Sequence, residues 1–176
     1  TPLGMTSTQF HDNNTRIVSR RAEGYQPAAG GFEIVRTSFA LVGDGGLLTT
    51  VEDLQKWDSN FYRNRLGKGD ASLIARLVTP SSVPLAGGRA QRYAFGLMPG
   101  KYRGLEVVEH GGAFIGFRAQ LLRFPTEHVS VAVLCNTYAA ATTHAQAMVA
   151  GLATGLGDGV PSVPAPPNTG TMPRAD

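Results

Sequence analysis

The stretch LEVVEHGGAFIGFRAQLLRF, residues 105–124, decides the fold, because two runs of strand length meet at a polar and glycine-rich centre. The apolar run 105–108 leads into Glu109-His110-Gly111-Gly112-Ala113, and a second strand-like run covers 116–124. A polar side chain and two residues without Cβ atoms are uncommon where a strand packs tightly. They indicate a strand whose backbone edge is kept open for something to dock against.

The residues around this stretch predict an antiparallel meander. Runs of strand length occur at 93–98, 105–110, 117–124 and 129–136. The segments between them include Pro99-Gly100, Gly111-Gly112 and Pro125-Thr126-Glu127. Such short connections join strands that run in opposite directions. The last run is almost continuously hydrophobic, which is typical of a central strand covered on both faces.

Helical spacing appears before and after these strands. The first predicted helix runs from Thr50 to residue 61, with Glu52 and Asp53 in its first turn as capping-box and dipole partners. The second spans about 71–78 and stops at Pro80. Upstream of both, the closely spaced turn residues of the first 46 positions predict loops with short strands.

A third helix, over 142–156, should pack across the sheet and end the ordered domain near Gly157. Its apolar face contains Ala145, Met148, Val149, Leu152, Ala153 and Leu156. Beyond it, prolines and small polar residues predict an extended tail or linker over 158–176. The predicted class is α+β, an antiparallel sheet with flanking helices in one domain, 1–157.

Composition excludes several classes of protein. The chain has 176 residues, is 42% hydrophobic and carries a formal charge of +3. Its arginines are scattered rather than clustered, which argues against a nucleic-acid partner. No run of about 18 apolar residues predicts a membrane span. The single cysteine, Cys135, lies in an apolar run and is interpreted as a buried small hydrophobe.

Four segments stand out for their order along the chain. They are Pro2-Leu3-Gly4-Met5-Thr6-Ser7-Thr8, Gly43-Asp44-Gly45-Gly46-Leu47-Leu48-Thr49-Thr50-Val51-Glu52-Asp53-Leu54, Tyr93-Ala94-Phe95-Gly96-Leu97, and His110-Gly111-Gly112 followed by Gly116-Phe117. In this order they resemble the serine β-lactamase-like hydrolases, which include class C β-lactamases, D-alanyl-D-alanine carboxypeptidases, D-aminopeptidases and esterases. The resemblance covers residues 1–156 and only the C-terminal portion of the family's β-lactamase/transpeptidase-like fold.

The resemblance implies a site on the strand that contains His110. In such enzymes a Ser-x-x-Lys serine attacks a carbonyl, a Tyr-x-Asn or Ser-x-Asn element assists proton transfer, and a Lys-Thr-Gly or His-x-Gly strand binds the substrate. His110-Gly111-Gly112 matches the third element. Gly111 and Gly112 would then bind the substrate, His110 would border the nucleophile, and the Ala113 N–H would stabilise the oxyanion.

His110 takes the place of a lysine, so it does not guarantee a positive charge at neutral pH. This difference favours ester, amide or D-amino-acid peptide substrates over carboxylate-terminated β-lactams.

The other family elements are missing from this sequence. No serine is followed by a lysine at the third position, and Tyr62-Arg63-Asn64 lies in the wrong order relative to the other segments. The nucleophile is therefore expected before residue 1, and this chain alone is expected to be inactive. A missing N-terminal segment or a second copy should cover an exposed apolar face of the sheet.

Other interpretations remain open at this point. The chain is alternatively a non-catalytic binding or interaction module of the same fold, or an unrelated α+β binding domain. The segment around His110 is alternatively a β-bulge with a satisfied histidine. His11, His128 and His144 lack ligand spacing and are expected to be solvated, so no metal or cofactor is assigned. The resemblance is compatible with a periplasmic or extracellular location and leaves the compartment open.

Overall fold

Antiparallel strands and flanking helices form the described part of the chain, which confirms the predicted α+β class. In this computed structural model the described residues are 2–36, 38, 40–83, 92–138 and 141–154. Their strands are β1 (Gln9–Phe10), β2 (Gly24–Ala28), β3 (Gly31–Val35), β4 (Leu47–Leu48), β5 (Met98–Tyr102), β6 (Leu105–Phe114), β7 (Phe117–Phe124) and β8 (Val129–Cys135). Their α-helices are α1 (Val51–Asn60), α2 (Ala71–Val78) and α3 (Ala141–Thr154).

The last four strands pair in sequence order, so the predicted meander is correct. Arg103 and Gly104 join β5 to β6 with φ of 51° and 86°, the left-handed pair that a type I′ turn needs. Ile115 and Gly116 join β6 to β7, again as a two-residue turn. Both hairpins are therefore tight, and the register of β6 is fixed at its two ends.

Two strand boundaries differ from the prediction. The first strand of the meander begins at Met98 rather than at residue 93, and Pro99 and Gly100 lie inside it instead of ending it. Pro99 is tolerated because β5 is an edge strand and needs no donor on its outer side. β6 continues through the glycines to Phe114 and pairs residue for residue with β7. There is consequently no bulge at His110.

The hydrophobic core lies between one face of the meander and α3. It consists of Val107, Leu122, Phe124, Val131, Ala145 and Val149. Burying each of the larger side chains contributes about 1.5–3 kcal/mol to folding. Met148 was predicted on this face but is 56% exposed, because it lies beside β8 rather than over the centre of the sheet.

The opposite face of the sheet packs against α1 through a buried charge. Arg123 of β7 is 1% exposed, and its guanidinium forms an ion pair with Asp58. The same guanidinium lies 3.9 Å from the ring centroid of Phe61 and 5.3 Å from that of Tyr62. A buried arginine needs such partners, since an unpaired charge would be costly to desolvate.

β8 is the last strand of the sheet in the described residues, so its prediction as a central strand is wrong there. Helices contact it from two sides, α3 and α1. Its outer edge has no strand partner in the described part of the chain. Apolar side chains beside this edge are partly exposed, among them Val51, Leu134 and Met148.

The remaining predictions meet the structure in part. Short strands and loops occupy the first third, as expected, and the bounds of α1 and α2 agree with the sequence pattern to within one residue. No helix among the described residues is long and apolar enough to cross a membrane. Gly157 and the tail 158–176 lie outside the described residues, so the domain boundary stays a prediction.

Candidate active site

The edge of β6 beyond Glu109 is open on one side. β5 pairs with β6 only as far as Glu109, which lies opposite Met98. On the other side β7 pairs with β6 up to Phe114. Within the described ranges, no strand lies against residues 110–114 on the β5 side. We call residues 110–114 with this unpaired side the open edge.

Backbone groups of Gly111 and Ala113 point out of the open edge. In a two-residue hairpin, the residues that flank the turn form a hydrogen-bonded pair. On β6 these flanking residues are Leu105 for one hairpin and Phe114 for the other. Both hairpins give the same alternation: odd positions of β6 direct N–H and C=O toward β5, and even positions direct them toward β7. Gly111 and Ala113 lie beyond the end of β5 and so offer these groups to a docking strand.

The chain closes both ends of the open edge. At the β5 end, the backbone turns away over residues 94–97, where the N–H of Ala94 donates to the carbonyl oxygen of Leu97 at 2.7 Å. At the other end, the base of the β2–β3 hairpin lies on the β6–β7 turn. A Cβ added to Gly24 would lie 3.1 Å from the Cα of Gly116. The open edge is therefore short, and other parts of the chain lie at both of its ends.

His110 is paired with a tyrosine that the sequence analysis did not assign to the site. The Tyr93 hydroxyl lies 2.9 Å from Nε2 of His110, and the rings meet edge to face with centroids 5.7 Å apart. Tyr93 is 39% exposed, and His110 is half-buried. The histidine is thus held by its neighbour while one side of it remains accessible.

Side chains on β7 crowd the positions of Gly111 and Gly112. A Cβ on Gly111 would approach Oε1 of Gln120 to 2.8 Å, and one on Gly112 would approach the Ala119 Cβ to 3.3 Å. Gln120 is buried and donates to a Glu109 carboxylate oxygen at 3.1 Å. A Cβ at Gly111 would thus displace the Gln120 side chain from its present position, whereas Gly112 and Ala113 are exposed as a docking strand requires.

The first two segments of the resemblance are joined by Asp53. One carboxylate oxygen of Asp53 accepts from the Ser7 N–H and the Thr8 hydroxyl, both at 2.8 Å, and the other accepts from Lys56 at 2.7 Å. Thr50 caps α1 as predicted, with its hydroxyl accepting from the Asp53 N–H. The reciprocal half of the predicted capping box is wrong, because the Asp53 side chain is used by residues 7 and 8.

Hydrogen bonds hold the pKa of the Asp53 carboxyl below its usual value. The Lys56 ammonium makes the largest contribution, burial opposes it, and the donors of Thr8 and Ser7 lower the pKa further. Asp53 is therefore a structural anion at neutral pH. Asp53 is consequently not a proton donor.

Other residues singled out in the sequence lie away from the open edge. Tyr62 packs near Arg123 and stacks on His128 with ring centroids 4.7 Å apart. Burial raises the pKa of Tyr62, the opposite of what activating a phenolate would need. Asn64 caps the loop after α1 through the Leu66 N–H. The Tyr-x-Asn match is consequently part of a packed loop.

His11 differs from its prediction. It is 6% exposed rather than solvated, and its Nε2 lies 3.0 Å from an Arg21 guanidinium nitrogen. His11 follows β1 directly, and its N–H donates to the Gly46 carbonyl oxygen at 2.9 Å, next to the pairing of β1 with β4. His128 and His144 are exposed, as predicted. No cluster of metal-ligating side chains occurs among the residues that the structure describes.

The roles of Tyr93 and Asp53 were missed for different reasons. Tyr93 belongs to one of the four ordered segments, but the 93–98 run was interpreted as a strand, which would direct its side chain by simple alternation. Asp53 was assigned to a local cap, and its contacts with residues 7 and 8 are long-range. The order of the segments was the only available signal that these residues meet.

Comparison with known proteins gives the chain a family. The profile of the family described as "Beta-lactamase" matches residues 1–155. A D-aminopeptidase from Cereibacter sphaeroides is 31% identical over 150 residues, which are 85% of this chain and 28% of that protein. A D-aminopeptidase from Gluconobacter oxydans is 32% identical over 140 residues, 78% of this chain and 26% of that protein. The chain thus spans little more than a quarter of these relatives.

Solved structures share the fold. The octameric penicillin-binding protein homologue from Pyrococcus abyssi superposes with a TM-score of 0.70 at 24% identity, over 87% of this chain and 35% of that one. The penicillin-binding protein from Bacillus halodurans gives 0.68 at 21% identity, over 86% of this chain and 46% of that one. The described strands and helices therefore correspond to part of a larger fold.

Proposed function

The chain belongs to the β-lactamase family. Its relatives described above are D-aminopeptidases, which are hydrolases, and we propose that the chain is the C-terminal portion of a serine acyl hydrolase. Its part is to supply the strand on which the acyl substrate docks. The observation that carries this proposal is the open edge, where Gly111 and Ala113 offer outward backbone groups next to His110. A peptide-like substrate can add to such an edge as one more antiparallel strand.

The chemistry that this edge supports is acyl transfer. A serine oxygen forms a bond to the acyl carbon, and the π electrons of the carbonyl move onto its oxygen. The outward N–H of Ala113 donates to that oxyanion, and one such donor is worth about 3–4 kcal/mol of transition-state stabilisation. The leaving group departs with a proton, and water then releases the acyl group.

The substrate class is inferred from the lack of a fixed positive charge at position 110. His110 occupies the position of the family's more usual lysine, and an imidazole does not supply the fixed positive charge of an ammonium group. An edge without a fixed positive charge suits an ester, an amide or a D-amino-acid peptide better than a substrate that needs a fixed cation. The two relatives described above are D-aminopeptidases, and a Streptomyces protein of similar fold is a D-stereospecific amidohydrolase.

The nucleophile must come from another segment. None of the serines in the 176 residues begins a Ser-x-x-Lys sequence, and the D-aminopeptidase from Cereibacter sphaeroides is matched over only 28% of its length. We infer that an N-terminal segment of a longer product brings the serine to the open edge, because a second copy of this chain would contain the same serines. A second copy would instead cover the exposed apolar side of the sheet, and the octameric Pyrococcus abyssi homologue is a precedent for such assembly.

The test is His110→Ala in the complete product of the reading frame. If His110 borders the reacting acyl group, kcat/KM should fall about 10-fold or more. The free energy of unfolding should stay within about 1 kcal/mol, since the side chain is only half-buried. His128→Ala, which replaces an exposed histidine in the turn between β7 and β8, is the matched control and should leave kcat/KM unchanged.

Unchanged kinetics together with a large loss of stability would contradict the role of His110 and favour a structural histidine. The non-catalytic alternative makes a different prediction. A complete product without Ser-x-x-Lys that binds acyl peptides but never turns them over would support a binding module.

A further inference from the structure

We propose that Tyr93 is a positioning residue that fixes which nitrogen of His110 carries the proton. This role rests on the proposed function: the contact with Tyr93 would determine which ring N–H of His110 is offered to the substrate. The carrying observation is the 2.9 Å contact between the Tyr93 hydroxyl and Nε2 of His110. Because this contact engages one ring nitrogen, it determines what the other nitrogen does.

The backbone places Tyr93 independently of its side chain. The carbonyl oxygen of Tyr93 accepts from the Ser81 N–H at 3.1 Å, and the Phe95 N–H donates to the Leu77 carbonyl at 3.4 Å. Both partners belong to α2 or to the segment that follows it. The turn over residues 94–97, which directly precedes β5, therefore lies between the strand and Tyr93 and places Tyr93 beside His110.

Relative acidity decides the direction of the hydrogen bond. A phenol hydroxyl is more acidic than a neutral imidazole N–H and is therefore the stronger hydrogen-bond donor. The unprotonated imidazole nitrogen is a good acceptor. The hydroxyl of Tyr93 therefore donates to Nε2 of neutral His110. The ring proton then stays on Nδ1, although free histidine prefers the tautomer with the proton on Nε2.

This tautomer makes His110 a neutral donor with a defined side. Nδ1–H is left to donate toward an acyl oxygen or a leaving-group atom, while Nε2 is occupied. When the ring becomes protonated, Nε2–H donates to the Tyr93 oxygen instead, so the pair persists in both states. A lysine at this position would offer a charge without such a fixed direction.

The test uses the 176-residue chain labelled with ¹⁵N-histidine. The chain contains four histidines, so the ring nitrogen signals are few enough to assign. Spectra are recorded at about pH 8.5, well above the range in which histidine side chains ordinarily take up a proton. In the wild-type chain His110 should show the Nδ1–H tautomer as its major form, and in Tyr93→Phe it should revert to mostly Nε2–H.

The matched control is Tyr138→Phe. Tyr138 is 40% exposed, close to the 39% of Tyr93, and its ring faces Arg118. It should leave the His110 signals at their wild-type positions. A major Nε2–H form in the wild-type chain, or identical His110 signals in wild type and Tyr93→Phe, would overturn the inference.

Kinetics separate this inference from the proposed function. In the complete product, Tyr93→Phe should lower kcat/KM about 3- to 10-fold, less than His110→Ala, because the donor is misdirected rather than removed. Full activity of Tyr93→Phe despite a switched tautomer would overturn the positioning role. Full activity of His110→Ala would instead overturn the proposed function, while the tautomer result would stand by itself.

Discussion

Asp53 is the residue that holds the beginning of the described chain onto α1. It accepts hydrogen bonds from the Ser7 N–H, the Thr8 hydroxyl and the Lys56 ammonium, all within 2.8 Å. Thr8 is further bonded to Thr49, and Lys56 also donates to the Gly4 carbonyl oxygen. A single carboxylate thus joins two segments that lie more than 40 positions apart in the sequence.

This network predicts an acid-dependent loss of stability. Because the pKa of Asp53 is lowered in the folded chain, mainly by Lys56, its carboxylate stabilises the fold above the pKa of the unfolded chain, and this contribution is lost as the pH falls through the folded value. Asp53→Asn should melt several degrees lower than wild type at pH 7. The difference should begin to shrink below about pH 4, where the unfolded chain takes up the proton first, and should shrink further as the pH falls through the lowered pKa of the folded chain.

Melting curves from pH 3 to pH 7 measure this difference. Asp44→Asn, in an exposed loop, is the control and should follow the wild type at every pH. If the melting temperatures of Asp53→Asn and wild type differed by the same amount at every pH, the charge of Asp53 would not be what stabilises the fold.

The residues of the open edge can be predicted from the sequence, whereas their partners cannot. His110, Gly111, Gly112 and Ala113 are recognisable because glycines interrupt a strand-like run. Tyr93 and Asp53 act through contacts across 17 and up to 46 positions. Such pairings depend on tertiary placement, which local pattern and propensity do not contain.

The β6–β7 hairpin is the element on which the site depends. Its two-residue turn sets which backbone groups of β6 face outward, and it also supports the base of the β2–β3 hairpin. A Cβ on Gly116 would lie 2.8 Å from the Gly24 Cα and 2.7 Å from the Val35 Cγ1. The two hairpins are therefore in backbone contact at the far end of the open edge.

Gly116→Ala should destabilise the chain by about 2–4 kcal/mol. The substitution combines a left-handed backbone, φ 74°, with overpacking against a rigid neighbour. Gly104→Ala is the matched control: it has φ 86° in the β5–β6 turn, but an added Cβ would meet nothing within 4 Å. It should cost only about 1–2 kcal/mol. Urea unfolding measures both, and equal losses would contradict the close approach of the hairpins.

At the element scale, the sequence predicted β7 fully and β6 only in part. β7 is bounded by turn residues and contains no glycine, so its pattern is unambiguous. β6 contains two adjacent glycines, which local rules treat as a break. Pairing with β7 and the burial of Gln120 behind Gly111 keep these glycines in the strand, and both effects are non-local.

The described residues form a core that is well packed between the sheet and α3, and they leave one outer strand, β8, without a strand partner among them. α3 and the sheet enclose the core, whereas the outer edge of β8 has no strand partner in the described residues. Val51, Leu134 and Met148 beside it are 45%, 40% and 56% exposed. Relatives in the same family are matched over little more than a quarter of their length. We therefore infer that a further segment or copy pairs with β8.

We propose above that this chain completes an acyl-transfer site whose nucleophile lies in another segment. The most direct measurement is hydrolysis of p-nitrophenyl butyrate and of a chromogenic cephalosporin by the purified 176-residue chain. The same assay is run after adding, or fusing, the sequence translated upstream of Thr1.

The isolated chain should show no turnover, because a serine hydroxyl without an activating base is a weak nucleophile. Upstream sequence that contains Ser-x-x-Lys should restore hydrolysis of at least the ester, and His110→Ala should then reduce it. Steady, saturable hydrolysis by the isolated chain that a serine-directed phosphonate abolishes would contradict the account.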